Sequence, residues 1–330
     1  MKPQFASSLS ALAASALFLA ASSTPANAAD YTWDTTSGDG STITAASGTW
    51  STTGTNWNSA GSNLAWAQTS GSAALHNAFF AGADGNYAVT LSGTTNAQSV
   101  AFNNSGYTLT SGTLTLKPTG TTNGNITVAA GKTATIGSPI AFTNNAPTTI
   151  TSGSGSTLNL GGGASNSQYT FTGLGTVNMT SGTYQANVGK VNVATFNQTS
   201  GTFSMQPNGL NTGYSIGENA TRSVAYTMSG TSIINFNAQA TGTNSFFAIG
   251  KSSGTTAYTN TLNVTGAANL NVGTTAARSG ELQIGSTADS NGTLNVSSGA
   301  VTVGTGTTDN KIYFFKNGSN AGYSANLTQS

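Results

Sequence analysis

The feature that most limits what this chain can become is a phrase it keeps rewriting. "YTLTSGTLTL" (residues 107–116) sets two short alternating runs on either side of a Ser-Gly, centred on Gly112. Variants return as "ITVAAGKTATI" around Gly131, "TITSGSGSTLNL" around Gly155, "YTFTGLGTVNM" around Gly175 and "FNQTSGTFSM" around Gly201. "YTMSGTSIINF", "LNVTGAANLNV" and "LNVSSGAVTV" follow around Gly230, Gly266 and Gly299. Counting from Gly93 of "AVTLSG", the intervals between these glycines are 19, 19, 24, 20, 26, 29, 36 and 33 residues. A second signal, "YSIG", "FAIG" and "LQIG", ending at Gly217, Gly250 and Gly285, alternates in step with the later copies.

Each unit offers about four residues of strand, a Gly corner that tolerates backbone angles other residues resist, and about four more. Alternation sends Leu, Val, Ile and Phe to one face and Thr and Asn to the other. One unit alone cannot bury its apolar face. Stacked units can, with each backbone pairing with the one above and below. The expected fold is therefore all-β, a parallel β-solenoid, of about 8 to 12 rungs and a length of roughly 40 to 60 Å. The alternative is a β-sandwich or prism in which each "SG" closes an antiparallel hairpin.

Composition agrees with stacking. Only 5% of the 330 residues are charged, the net charge is +1, and 36% are apolar. In a stack, each charge meets its equivalent about 5 Å away in the next rung, whereas Thr and Asn bond along the column. The same balance offers no basic footprint for nucleic acid. There is no cysteine, so stability must come from burial and backbone pairing.

Residues 1–28 read as a secretory signal: Lys2, the apolar run "ALAASALFLAA", then Pro25 and the small-residue pattern Ala26-Asn27-Ala28. That run is too short to span a bilayer, and no later stretch approaches transmembrane length, so the mature chain is expected to be exported, extracellular or on the outer cell surface. Residues 29–84 hold all four tryptophans, Trp33, Trp50, Trp57 and Trp66, and the single histidine, His76. They read as a cap over the apolar end of the solenoid that occupies residues 85–330. The alternative use of Trp50, Trp57 and Trp66 is stacking on sugar rings, which makes the segment a carbohydrate-binding module.

The stretch Gly48 to Leu116 resembles the opening of bacterial proteins with autotransporter-associated β-strand repeats. The elements that carry the likeness are Asn56-Trp57, Phe80, Asp84-Gly85, the strand Val89 to Gly93 and the strand Gly106 to Leu116. The resemblance implies an exported, right-handed parallel β-helix, passenger-like, with no catalytic residues. It covers about 70 residues well, and the remainder only as a style of repeat. Such proteins often end in an outer-membrane barrel or in a sorting tail, and neither stands here. The closing "ANLTQS" matches "TFNQTS" just ahead of Gly201, which points to truncation within a repeat.

Chemistry is sparse. A β-helical polysaccharide lyase or hydrolase needs converging carboxylates, commonly with a cation. Glu218 with Arg222 and Glu281 with Arg278 are the candidates, and they read more simply as exposed ion pairs. "DTTSGDG" (34–40) lacks the ligands of a calcium loop, and one His without Cys gives no zinc set. "GLGTVNMTSG" (173–182) lacks the Lys and following helix of a phosphate loop. No catalytic residue, metal or cofactor is expected. Flat Thr rows that bind ice or mineral are disfavoured by intervals running from 19 to 36. The expected function is structural or adhesive, through the polar face, toward an extracellular polysaccharide or surface matrix. Self-association through the solenoid ends is a further expectation, and a polysaccharide-degrading enzyme is the remote third reading.

Overall fold

The computed structural model describes residues 29–37, 40–66, 76–117, 124–142, 148–165, 168–186, 188–207, 213–218, 222–237, 245–251, 258–273, 280–285, 291–304, 311–314 and 325–330. The expected signal segment, 1–28, lies outside them. Among the described residues the fold is all-β, without helix, and its strands lie in sheets that are almost wholly parallel.

The strands fall into three ladders. The first contains Asp30–Trp33, Asn77–Phe80, Ser99–Phe102, Asn125–Val128 and Thr148–Ser152, and later Gly213–Glu218, Phe246–Lys251, Glu281–Ile284 and Lys311–Phe314. The second contains Gly48–Trp50, Tyr87–Leu91, Tyr107–Thr110, Thr133–Ile136 and Thr157–Leu160, and later Val224–Met228, Thr259–Thr265, Asn291–Ser297 and Ala325–Gln329. Two long strands, Gln168–Met179 and Val188–Gln198, serve both, with a register shift between Gly173 and Thr176. The third ladder is a separate sheet of nine strands from Thr94–Ala97 to Ala300–Val303. The ladders begin within the Trp-rich segment, because Asp30–Trp33 and Gly48–Trp50 already pair in parallel with later strands.

The hairpin alternative is corrected by the pairing. Tyr107–Thr110 and Thr113–Leu116 flank Ser111-Gly112 yet lie in different ladders, the second and the third. The Thr113 amide donates to the Gly93 carbonyl at 2.8 Å, in the preceding copy, so the donors that would close a hairpin are already used between copies. Antiparallel pairing among the described residues is confined to Trp57–Ser59 against Asp30–Trp33 and Ser62–Leu64, and to one bridge, Thr265 with Ser298.

Most expected corners adopt the left-handed conformation: φ is positive at Gly93, Gly112, Gly131, Gly155, Gly201, Gly230 and Gly266. At two copies the strained position lies elsewhere. Gly173 (φ 113°) takes it in place of Gly175, and Ser298 (φ 59°) takes it in place of Gly299. At Gly112 space adds to the constraint, because a Cβ there would strike the Gly93 carbonyl oxygen of the copy below.

Inward side chains stack in columns. One reads Tyr31, Ala78, Val100, Ile126, Ile150, Phe171, Val191, Ile216, Ile249, Ile284 and Phe314, and all but the last are buried. The "IG" signals sit in this register, with Ile216, Ile249 and Ile284 as direct partners. Burying one such side chain is worth about 1.5–3 kcal/mol, so the columns carry the stability that disulfides do not supply. The repeat intervals vary because the number of residues between a first-ladder strand and the strand before or after it varies, as between Phe236 and Phe246, between Lys251 and Thr259, and between Ile284 and Asn291. The turn from the second ladder to the third stays short, as at 229–232, 266–268 and 298–299. The irregular spacing therefore leaves the columns in register, which removes the argument that spacing brought against ordered polar rows.

Candidate functional site

All four tryptophans, including the sugar-stacking candidates Trp50, Trp57 and Trp66, are interior. Trp33, Trp50 and Trp57 are fully buried and Trp66 is 1% exposed. Their rings pack on one another, with Trp50–Trp57 at 4.7 Å, Trp57–Trp66 at 4.6 Å and Trp50–Trp66 at 4.9 Å between centroids. Beneath them Phe80 lies 5.7 Å from Trp50 and stacks on Phe102 at 5.1 Å, so the cluster runs into the interior columns. Trp33 and Trp66 donate their indole hydrogens to the carbonyls of Ala46 and Asn96 at 2.9 and 2.8 Å. The chain over the cluster is pinned by Asp34, itself fully buried, whose carboxylate accepts from the Thr36 and Thr44 amides and from Asn58 Nδ2. No face of Trp50, Trp57 or Trp66 is open to a sugar ring in this arrangement.

The candidate acids are held in place by neighbours on their own and on adjacent strands. Glu218 forms ion pairs with Lys190 at 3.2 Å and Lys251 at 3.5 Å, each from a different strand of the first ladder, and accepts the Ser215 hydroxyl at 2.7 Å. Burial pushes its carboxyl up, but the Ser215 bond and the two ammonium groups outweigh burial and hold it below the usual carboxylate range. Lys251 also stands 4.3 Å over the Phe246 ring. Glu281 is buried and accepts from Gln283 Nε2 at 2.8 Å. Its expected partner Arg278, with Asp39, Asp289 and Asp309, lies outside the described residues. Asp84 is exposed and pairs with Lys132 at 3.0 Å, and the Ser105 amide, Lys132 and Asn104 draw its carboxyl below the ordinary value. Among the described residues no three His, Cys, Asp or Glu side chains come together in a way that would hold a metal ion.

A long polar surface lies on the outside of the second ladder. There Thr133, Thr157, Thr176, Thr195, Ala225, Thr261 and Thr293 are successive partners in one column. Two residues further along each strand, Thr135, Asn159, Asn178, Asn197, Thr227, Asn263 and Asn295 form a second column. The amides bond along it: Asn178 Nδ2 donates to Asn159 Oδ1 at 2.9 Å, Asn197 to Asn178 at 3.0 Å, and Asn295 to Asn263 at 2.9 Å. Asn159 and Asn263 start the two runs on the hydroxyls of Thr135 and Thr227. No position in either column is charged. An amide contact of the same kind, Asn271 to Asn235 at 2.9 Å, stands on the third ladder. Sequence reasoning expected Thr and Asn to bond along the stack, as they do here, but did not assign the residues to these rows. Their signal was the recurring T-x-N of "STLNL", "GTVNM", "ATFNQ", "NTLNV" and "GTLNV".

At the other end from the tryptophans, Ile312, Phe314 and Leu327 are about half exposed beside a cavity of about 440 Å³ lined by Ile284, Leu294, Val301 and Val303. Among the described residues no helix is long and apolar enough to cross a membrane. No family model, no curated protein and no solved structure matches the chain.

Proposed function

We propose that the three ladders are the faces of one parallel β-helix and that the protein is an exported structural or adhesive element, displayed at or released from the cell surface. The observation that carries this reading is the pair of uncharged polar columns kept in register along the second ladder, while the apolar interior is closed at one end by the tryptophans. Such a rod spends its length on surface rather than on a pocket. Export is supported by the signal-like residues 1–28, and the resemblance of Gly48 to Leu116 to autotransporter-associated repeats points the same way. The burial of Trp50, Trp57 and Trp66 favours the cap over the sugar-stacking use of that segment.

Protease treatment of intact cells producing the full chain tests the reading. Degradation of the protein on whole cells, or its recovery from the medium, is the expected result. Full-length protein retained in the cytosol and untouched by the protease would contradict it.

A further inference from the structure

We infer that the Thr and Asn columns of the second ladder bind a neutral, extended β-linked polysaccharide laid along the strand-stacking axis. The inference rests on the structural and adhesive reading above and assigns it a face and a ligand class.

Three properties of the face select the ligand. First, it is uncharged: Thr157, Thr176, Thr195, Asn159, Asn178 and Asn197 form its centre, and none titrates. An uncharged face offers no compensating charge to phosphate, sulfate or uronate groups, and favours a polymer that is itself neutral. Second, its groups both donate and accept. Asn159, Asn178 and Asn263 each use one N–H and one oxygen lone pair along the column, which leaves a second N–H and a second lone pair for a ligand. Sugar hydroxyls answer both, since each is donor and acceptor at once. Third, the array repeats at the strand spacing of about 4.8 Å. Successive sugars of an extended β-linked ribbon face opposite ways, so a linear polymer presents like hydroxyls to the columns at every second rung, and weak contacts add as they do for linked binding sites.

The column bonds matter here because they fix the amides before any ligand arrives. Asn178 is held from both sides, donating to Asn159 and accepting from Asn197, so its rotamer is set in the free protein. A surface pre-ordered in this way avoids much of the side-chain entropy that binding otherwise costs. The unequal intervals between copies do not interrupt the columns, whose register runs unbroken from Thr133 to Thr293.

The test is retention of the purified full chain on microcrystalline cellulose and on chitin, in low and high salt, for wild type and for the double variant Asn178→Leu/Asn263→Leu. Asn271→Leu, on the third ladder, is the matched control, and thermal melts followed by circular dichroism establish that each variant is folded. We expect retention of the wild type on at least one polymer, unchanged by salt as befits an uncharged face. The double variant should lose about tenfold or more in affinity, the equivalent of one or two hydrogen bonds, with its fold intact. Asn271→Leu should bind as wild type. If the double variant does not fold, Thr176→Lys, which leaves every amide bond in place, replaces it with the same expected loss.

The inference is overturned by absence of wild-type retention on both polymers, by equal retention in the double variant, or by an equal loss in Asn271→Leu. It is also overturned if the face proves to join two copies of the chain, seen as a wild-type dimer in light scattering that the double variant abolishes, or if the protein arrests ice growth while ignoring both polymers. In each of these cases the export experiment still stands or falls by itself, so the two readings fail separately.

Discussion

Tyr226 donates its hydroxyl hydrogen to Gln198 Oε1 at 2.8 Å in the fully buried interior. Gln198 occupies an apolar column position, between Met179 and Met228, and its Nε2 donates to the carbonyls of Gly201 and Ile233 at 3.0 Å. One polar side chain thus ties the second ladder to two turns of the third. Replacing it with the residue of its neighbours, Gln198→Met, strands the Tyr226 hydroxyl and should cost about 1–3 kcal/mol. Gln198→Met/Tyr226→Phe should recover most of that loss, since both partners are then apolar. Chemical denaturation of the two variants checks this, and an additive double variant would show that the pair is not coupled.

The tryptophan cluster should behave as a structural plug. Trp50→Ala removes a fully buried ring that meets Trp57, Trp66 and Phe80, and should cost about 3–5 kcal/mol and promote association through the uncovered end. Melting temperature and size-exclusion chromatography read both effects. A monomeric Trp50→Ala protein as stable as wild type would show that the ring closes nothing.

Two corner glycines with similar local roles should respond differently to the same change. Gly131 has φ 69° and open space where a Cβ would stand, so Gly131→Ala should cost only the left-handed strain of about 1–2 kcal/mol. At Gly112 the Cβ would meet the carbonyl oxygens of Gly93 and Leu91 in the copy below, so Gly112→Ala should cost distinctly more. Equal losses in denaturant midpoint would contradict the stacking of these two copies.

Acid should weaken the first ladder through Glu218. Its carboxyl is held below the ordinary value in the folded protein, so the stabilisation is fully present above about pH 4.3, the usual glutamate value, and is lost as the pH falls through the lower folded value. The melting temperature of wild type should therefore drop more between pH 7 and pH 3 than that of Glu218→Gln. Equal drops in the two proteins would mean that the bonds to Lys190, Lys251 and Ser215 carry no net stability.

What the sequence revealed is what depends on near neighbours. Alternation placed Leu109 and Leu114 inside and Thr108 and Thr113 outside, and the phrase "TSG" marked Gly112 as a corner. The concentration of Trp33, Trp50, Trp57 and Trp66 in one segment was visible as a candidate cap. Parallel pairing was harder to see, because the local signal of Ser111-Gly112 is shared with a hairpin and only the destination of the Thr113 amide separates the two. The contacts of Glu218 were misjudged for a related reason: Arg222 is near in sequence, whereas Lys190 and Lys251 become neighbours only when strands stack. Bonding of Asn along the stack was expected, but which Asn residues align was hidden by the unequal intervals between copies, which do not change the register of the strands.

The central claim is that successive copies stack in parallel and in register, and the absence of native cysteine makes it directly measurable. Nitroxide pairs attached through Thr133→Cys with Ala225→Cys, and through Thr133→Cys with Thr293→Cys, span four and six strand steps of one column. Pulsed electron paramagnetic resonance should give separations near ~19 and ~29 Å, differing by about two strand spacings. Separations that do not grow with the number of intervening strands would contradict the stack.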